Sequence, residues 1–193
     1  PNAAFDAVIA PKHDGLEGAN VLTSVGALNR ITPEKIHKAA RHWDDVFGKP
    51  GLPGLAVLIG GPSGSAEFGE EDAARLCVAL KTLAEKHTLR ITASRRTPET
   101  LSARLTQSLG PSAYLWQPEG GGENPYPGLL GHAEAVLVTE DSVNMASEAA
   151  SSGLPVHVFP VGRVGRKIRQ FHAELERYGA SRRFTGALPH WDY

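Results

Sequence analysis

Leu55-Ala56-Val57-Leu58-Ile59-Gly60-Gly61-Pro62-Ser63-Gly64 decides the fold: an apolar run with no polar face, cut off by a glycine-rich turn. A half-exposed strand alternates apolar and polar residues, whereas a strand apolar on both faces is buried on both sides, as in a parallel sheet covered by helices. The unit recurs along the chain. Behind the turn, Ala73, Leu76, Cys77, Leu80 and Leu83 fall on one helical face, and residues 89–93 form a second strand. Thr97-Pro98 starts another helix carrying Leu101, Leu105 and Leu109, and residues 113–116 are a third strand. A loop then runs through Gly120-Gly121-Gly122 to Asn124-Pro125-Tyr126-Pro127. Residues 135–139 are a fourth strand, 142–152 a helix closed by Gly153, and 155–161 a fifth strand; Ile168, Phe171, Leu175 and Tyr178 mark a terminal helix.

Alternating strands and helices predict an α/β fold, a Rossmann-like parallel sheet with helices on both faces. Upstream, residues 5–10 and 21–25 are short β-rich runs framing the polar loop Pro11-Lys12-His13-Asp14-Gly15. Thr32-Pro33 signals a helix start, and Ile36, Ala39, Ala40, Trp43, Val46 and Phe47 recur at helical spacing up to the breaker Gly48-Lys49-Pro50-Gly51-Leu52-Pro53. The chain opens at Pro1 in mid-pattern without an initiator Met, so an N-terminal portion is expected to be absent.

Composition narrows the function. The 193 residues, 41% hydrophobic and 21% charged with a formal net charge of -1, are those of an ordinary globular protein with no basic field for nucleic acid. Cys77 is the one cysteine and reads as a buried small hydrophobe, which suits a reducing, cytoplasmic setting. The apolar runs are strand-sized and fall far short of the roughly 20 residues that span a bilayer, so no transmembrane segment is expected, with peripheral membrane contact left open. No histidine has zinc-ligand spacing with cysteines, and no metal site is expected.

In parallel sheets with helices on both faces, ligands sit outside the strand carboxyl ends, which directs attention to the turns after residues 60, 93, 116 and 139. Gly60 and Gly61 allow close backbone approach to a ligand, and equally suit a plain strand-to-helix turn; neither a dinucleotide fingerprint nor a Walker loop is present. That absence disfavours an NAD-dependent oxidoreductase. Ser94-Arg95-Arg96-Thr97-Pro98 sets two guanidiniums at a strand end beside a helix N-terminus, where they serve an anion or lie solvated on the rim. In Thr139-Glu140-Asp141-Ser142-Val143-Asn144-Met145-Ala146-Ser147-Glu148, polar side chains and free N–H groups crowd a helix start and suit a phosphate or a sugar hydroxyl. Taken on their own, Asp141 or Ser142 is an ordinary N-cap and Glu148 a solvated helix residue. His13-Asp14 reads as a hydrogen-bonding loop pair before it reads as a base with its carboxylate.

Together, Pro11-Lys12-His13-Asp14, Asn20-Val21-Leu22-Thr23, Gly26-Ala27-Leu28, Gly60-Gly61, Ser94-Arg95-Arg96-Thr97, Asn124-Pro125-Tyr126 and residues 139–150 resemble the mitochondrial-fission (elongated-mitochondria) family, with Asn144 where that family usually has Ser. The family looks like GT-B glycosyltransferases, in which two Rossmann-like halves face across a cleft. Ser147-Glu148-Ala149-Ala150-Ser151-Ser152-Gly153-Leu154-Pro155-Val156 is similar to the donor segment of the peptidoglycan N-acetylglucosaminyltransferase. The resemblance implies residues 1–48 as the end of the N-terminal half, 54–166 as the C-terminal nucleotide-sugar-binding domain, and 167–193 as a terminal helix returning towards the first half. It implies a nucleotide-diphosphate sugar as donor ligand, no other cofactor, and an unknown acceptor. Gly61, Ser94, Arg95, Arg96, Asn124, Tyr126, Asp141, Ser142, Val143, Asn144 and Met145 would line the donor, Glu148 would hold the ribose, and His13 would be the acceptor base. The activity implied is metal-independent glycosyl transfer; the alternative is a scaffold or recruitment protein that keeps the fold without turnover.

Overall fold

A computed structural model of the protein describes residues 4–49 and 51–193; Pro1 and Pro50, the latter within the expected linker, lie outside them. Strands β1 (Val8–Pro11) and β2 (Val21–Ser24) pair in parallel as a separate two-stranded sheet. Helices α1 (Pro33–His42) and α2 (Asp44–Phe47) follow, and Thr32 caps α1 by accepting the Lys35 N–H at 3.3 Å. Then come β3 (Gly54–Ile59), α3 (Glu70–Ala84), β4 (Thr88–Ala93), α4 (Glu99–Leu109), β5 (Ala113–Trp116), α5 (Tyr126–Gly131), β6 (Ala135–Thr139), α6 (Val143–Ala150), β7 (Val156–Phe159), α7 (Arg166–Tyr178) and β8 (Ser181–Arg183).

The second sheet is six-stranded, wholly parallel and ordered β5-β4-β3-β6-β7-β8. The chain winds outwards from β3 through β4 to β5, then returns to the other side of β3 and winds through β6 and β7 to β8, which is the Rossmann strand order. Every residue of β3 is buried. Leu55, Val57 and Ile59 face α3 and α4, with Leu76, Leu80, Leu101 and Leu105, while Ala56 and Leu58 face the opposite layer with Leu129, Val138, Ala146 and Phe171. A fully buried leucine contributes about 1.5–3 kcal/mol, so this double-sided burial is the main stabilisation of the layer arrangement.

Two features depart from the expected organisation. The sheet has a sixth strand, because Ser181-Arg182-Arg183 extends the edge without an apolar run to announce it. Residues 126–131 form α5 within what reads as a loop; its Gly128 and Gly131 let it press on Trp43 and Ala40, where a Cβ would meet those side chains at 2.5 and 2.7 Å. Packing also continues across residue 48. Ile36 and Phe47 belong to the same core as Leu58, and the buried Arg90 guanidinium donates to the carbonyls of Phe47 at 2.7 Å and His132 at 2.8 Å. Helix α7 meets the turn Lys12–Asp14, with Phe171 edge-on to His13 at 5.3 Å and Lys167 paired with Asp14 at 3.0 Å.

Candidate functional site

The winding reverses between β3 and β6, and the turns beyond their carboxyl ends are joined by a polar knot. Gly60 N–H donates to Thr139 Oγ1 and Gly61 N–H to Asp141 Oδ2, both at 2.8 Å. Arg96 closes the third side, donating through Nη2 to Asp141 Oδ2 at 3.1 Å and through Nη1 to the Gly61 carbonyl. Thr97 Oγ1 accepts from Ser94 N–H at 2.9 Å and lies 2.6 Å from the Gly60 carbonyl oxygen. The glycines are required by packing: a Cβ on Gly60 would lie 2.0 Å from Asp141 Oδ2, and one on Gly61 2.0 Å from the Arg96 carbonyl oxygen.

Asp141 has a side chain with 0% exposure, and burial pushes its carboxyl above the usual range, opposed by the Thr139 hydroxyl, the Gly61 N–H and Arg96. Its Oδ1 has no hydrogen-bond partner among the described residues. Ser142 caps α6, its Oγ accepting the Met145 N–H at 3.4 Å. The N–H groups of Val143 and the exposed Asn144, in the first turn, have no carbonyl within the helix to donate to. One turn on, on the same face as Asn144, the half-buried Glu148 faces Tyr126. Burial pushes the Glu148 carboxyl up, with the Tyr126 hydroxyl pulling it back, and pushes the buried phenol well up, with Glu148 adding to that shift. Their geometry leaves the phenolic oxygen without a well-formed hydrogen bond. Asn124 sets the start of α5 by accepting the Tyr126 N–H at 3.0 Å. Trp116 Nε1, at the carboxyl end of β5, is a further buried donor without a partner. Trp116 Nε1, the Tyr126 hydroxyl and Asp141 Oδ1 are thus buried polar atoms at this edge without a well-formed hydrogen bond to a described residue.

The expected residues divide into groups. Gly61, Arg96 and Asp141 bind one another and build the frame. Arg95 is exposed and has no hydrogen bond or ion pair to a described residue, which leaves it as the cation available at this edge from the Arg95-Arg96 pair. Ser94 serves the turn, its Oγ accepting the Arg96 N–H at 3.1 Å. His13 stands apart: it is buried against Phe171, its Nδ1 is unpartnered, and Asp14 faces Lys167 instead of the imidazole. Burial pushes its imidazole below the ordinary value, with Asp14 opposing and Lys167 adding to the shift. His172 lies close by on α7, donating through Nε2 to the Glu140 carbonyl at 2.7 Å.

Sequence reading missed Ser147. Its Oγ accepts the Ala27 N–H at 2.9 Å and donates to the Val143 carbonyl at 2.8 Å, pinning residues 24–31 onto α6. The signal was Gly26, where a Cβ would lie 2.8 Å from that oxygen.

Fold and site together define a Rossmann-like α/β protein with a polar site at its strand reversal. The chain belongs to the mitochondrial fission ELM1 family, whose model matches residues 1–193. The mitochondrial fission protein ELM1 of Arabidopsis thaliana is 35% identical over 208 residues, covering 94% of this chain and 48% of the relative. The uncharacterized protein RP120 of Rickettsia prowazekii (strain Madrid E) is 31% identical over 153 residues, covering 77% and 42%. The chain thus spans less than half the length of these curated relatives. Among solved structures, the fold is similar to WaaG, a glycosyltransferase involved in lipopolysaccharide biosynthesis, at 14% identity and a TM-score of 0.49 over 91% of this chain and 46% of that one. It is also similar to MurG of Acinetobacter baumannii, at 15% identity and a TM-score of 0.49 over 89% and 44%. Among the described residues, no helix is long and apolar enough to cross a membrane.

Proposed function

We propose that the carboxyl edge of the six-stranded sheet binds a nucleoside-diphosphate sugar and that the chain is the donor-holding part of a glycosyltransferase. The observation that carries this reading is the convergence, at the strand reversal, of the open first turn of α6, the unpaired Arg95 and the Glu148–Tyr126 pair. The first turn of α6 and Arg95 hold the diphosphate, whose negative charge grows as an acceptor hydroxyl attacks the sugar carbon and the bond to the leaving oxygen breaks. Glu148 accepts hydrogen bonds from the ribose diol, and Tyr126 orients it. The Arg96–Asp141 knot keeps the β3, β4 and β6 turns in register beneath the ligand. His13, neutral through burial, would act as acceptor base only if the turn Lys12–Asp14 moved off Phe171. The separate parallel sheet of β1 and β2, with Ile9 53% and Leu22 63% exposed, fits the edge of a second half facing this one.

The test is calorimetric titration of wild type and Glu148→Gln with ribo- and deoxyribonucleoside diphosphates. A hydrogen bond to a charged partner is worth about 1.5–3 kcal/mol, and part of that suffices to weaken ribonucleotide binding about tenfold, with the deoxy analogues affected less. Equal affinities in all four pairings would remove Glu148 from the site. A second reading, a recruiting protein without turnover, draws on the fission role in the name of the Arabidopsis relative. It predicts nucleotide binding with no release of sugar or transfer to any acceptor.

A further inference from the structure

The two edges of the six-stranded sheet are treated differently. At one edge, β8 carries the exposed Arg182 and Arg183, with Arg182 lying over Trp191 at 4.3 Å. At the other, β5 reads Ala113-Tyr114-Leu115-Trp116, has no charge or proline within it, and is half-exposed at all four positions. Among the described residues, no backbone hydrogen bond joins β5 from outside its ladder with β4. Unpaired edges are templates for strand addition, and folds usually blunt them with charge, proline or a covering segment.

A cavity flanks β5 on each face, and the two differ in chemistry. On the face that Tyr114 shares with Phe47, a cavity of about 360 Å³ is lined by Arg90, Lys49, Ser112 and Tyr114, and no carboxylate lines it. Arg90 is held by the carbonyls of Phe47 and His132 and lies over the Phe47 ring at 5.5 Å, so the exposed Lys49 is the cation this cavity offers at the β5 edge. Among the described residues, Lys49 has no ion pair and the hydroxyls of Ser112 and Tyr114 have no hydrogen bond. On the face that Leu115 shares with α4, a cavity of about 230 Å³ is lined by Ile91, Leu105, Leu109 and Leu115.

We propose that the free edge of β5 takes up an extended peptide segment of a partner protein in which an acidic residue neighbours an apolar one. Side chains of adjacent strand residues point to opposite faces, so an added strand delivers the carboxylate to the exposed Lys49 and the apolar side chain to the leucine-lined cavity. Main-chain bonds to β5 supply the attachment, and the two cavities supply the choice of sequence. The site lies along the outer edge of the sheet and does not depend on a nucleotide at the strand reversal.

The experiment is selection of a phage-displayed random dodecapeptide library on the immobilised protein, followed by anisotropy titration of the enriched peptide made synthetically with a fluorescent label. Asp or Glu next to an apolar residue should be enriched. Lys49→Glu, at an exposed position, should weaken the synthetic peptide about tenfold, as should Leu115→Lys, while a copy N-methylated at alternate residues should not bind. Circular dichroism of both variants checks that they fold. Failure to enrich any consensus, or a consensus peptide that binds both folded variants and its N-methylated copy as tightly as before, would overturn the proposal.

Discussion

Arg95 and Arg96 are neighbours of one residue type with different work. Arg96 has 40% of its side chain exposed yet spends its donors on Asp141 and the Gly61 carbonyl. Removing it strands a buried carboxylate, a change that costs several kcal/mol when a pair is fully buried and less here because Arg96 reaches solvent. Arg96→Gln should lower the unfolding free energy in urea by about 2 kcal/mol, and adding Asp141→Asn should restore part of it. Arg95→Gln should change stability by less than about 0.5 kcal/mol but weaken nucleoside-diphosphate binding. Equal stability losses in the two single variants would contradict this division. Sequence offers the pair as equivalent, since the partner that separates them lies on another turn and is brought close only by the sheet order.

At the level of elements, hydrophobic periodicity was legible wherever the core dictates the pattern. The helix face of Ala73, Leu76, Cys77, Leu80 and Leu83 is buried as its spacing predicts, and Thr97-Pro98 leads into α4. β8 and α5 were not legible because neither carries its own apolar period: one completes an existing ladder, and the other forms where Trp43 and Ala40 press on Gly128 and Gly131. Gly60-Gly61 was legible as a turn, whereas its reason was not, because the atoms that exclude a Cβ belong to Asp141 and Arg96. Gly61→Ala should therefore destabilise by about 2 kcal/mol or more, since the obstructing atom is a backbone carbonyl that can yield only with its whole turn. Thermal unfolding of Gly61→Ala beside Gly64→Ala tests it, for Gly64 has open space where its Cβ would stand and should tolerate the change.

For the whole molecule, closure depends on the last ten residues, which fold back across the end of the sheet. Phe184 N–H donates to Val158, Trp191 Nε1 to Gly179, and the Tyr193 hydroxyl to Ala150, at 2.8, 2.7 and 2.7 Å respectively. Under this strap lies His157 on β7, 1% exposed and edge-on to Trp191 at 5.0 Å. Burial pushes its imidazole down to about 4, Arg182 adds to the shift, and the Pro189 carbonyl opposes it. The folded protein therefore takes up the proton at lower pH than the unfolded chain, whose histidines titrate near about 6.5. The stabilisation from neutral His157 is complete above that value and is lost progressively as pH falls towards about 4. At about 1.4 kcal/mol per pKa unit, the loss by pH 5 is about 2 kcal/mol. Buried carboxyls work in the opposite sense, because Glu140, Asp141 and Glu148 are raised and favour the folded state on acidification. Stability of the wild type against pH therefore mixes the two signs, and the difference between wild type and His157→Phe isolates the imidazole. Urea unfolding of both proteins at about pH 7 and pH 5 should show the variant gaining about 2 kcal/mol on the wild type as pH falls. Parallel stability curves would mean that His157 is protonated without opening the strap, and that the Trp191 contact does not keep the imidazole dry.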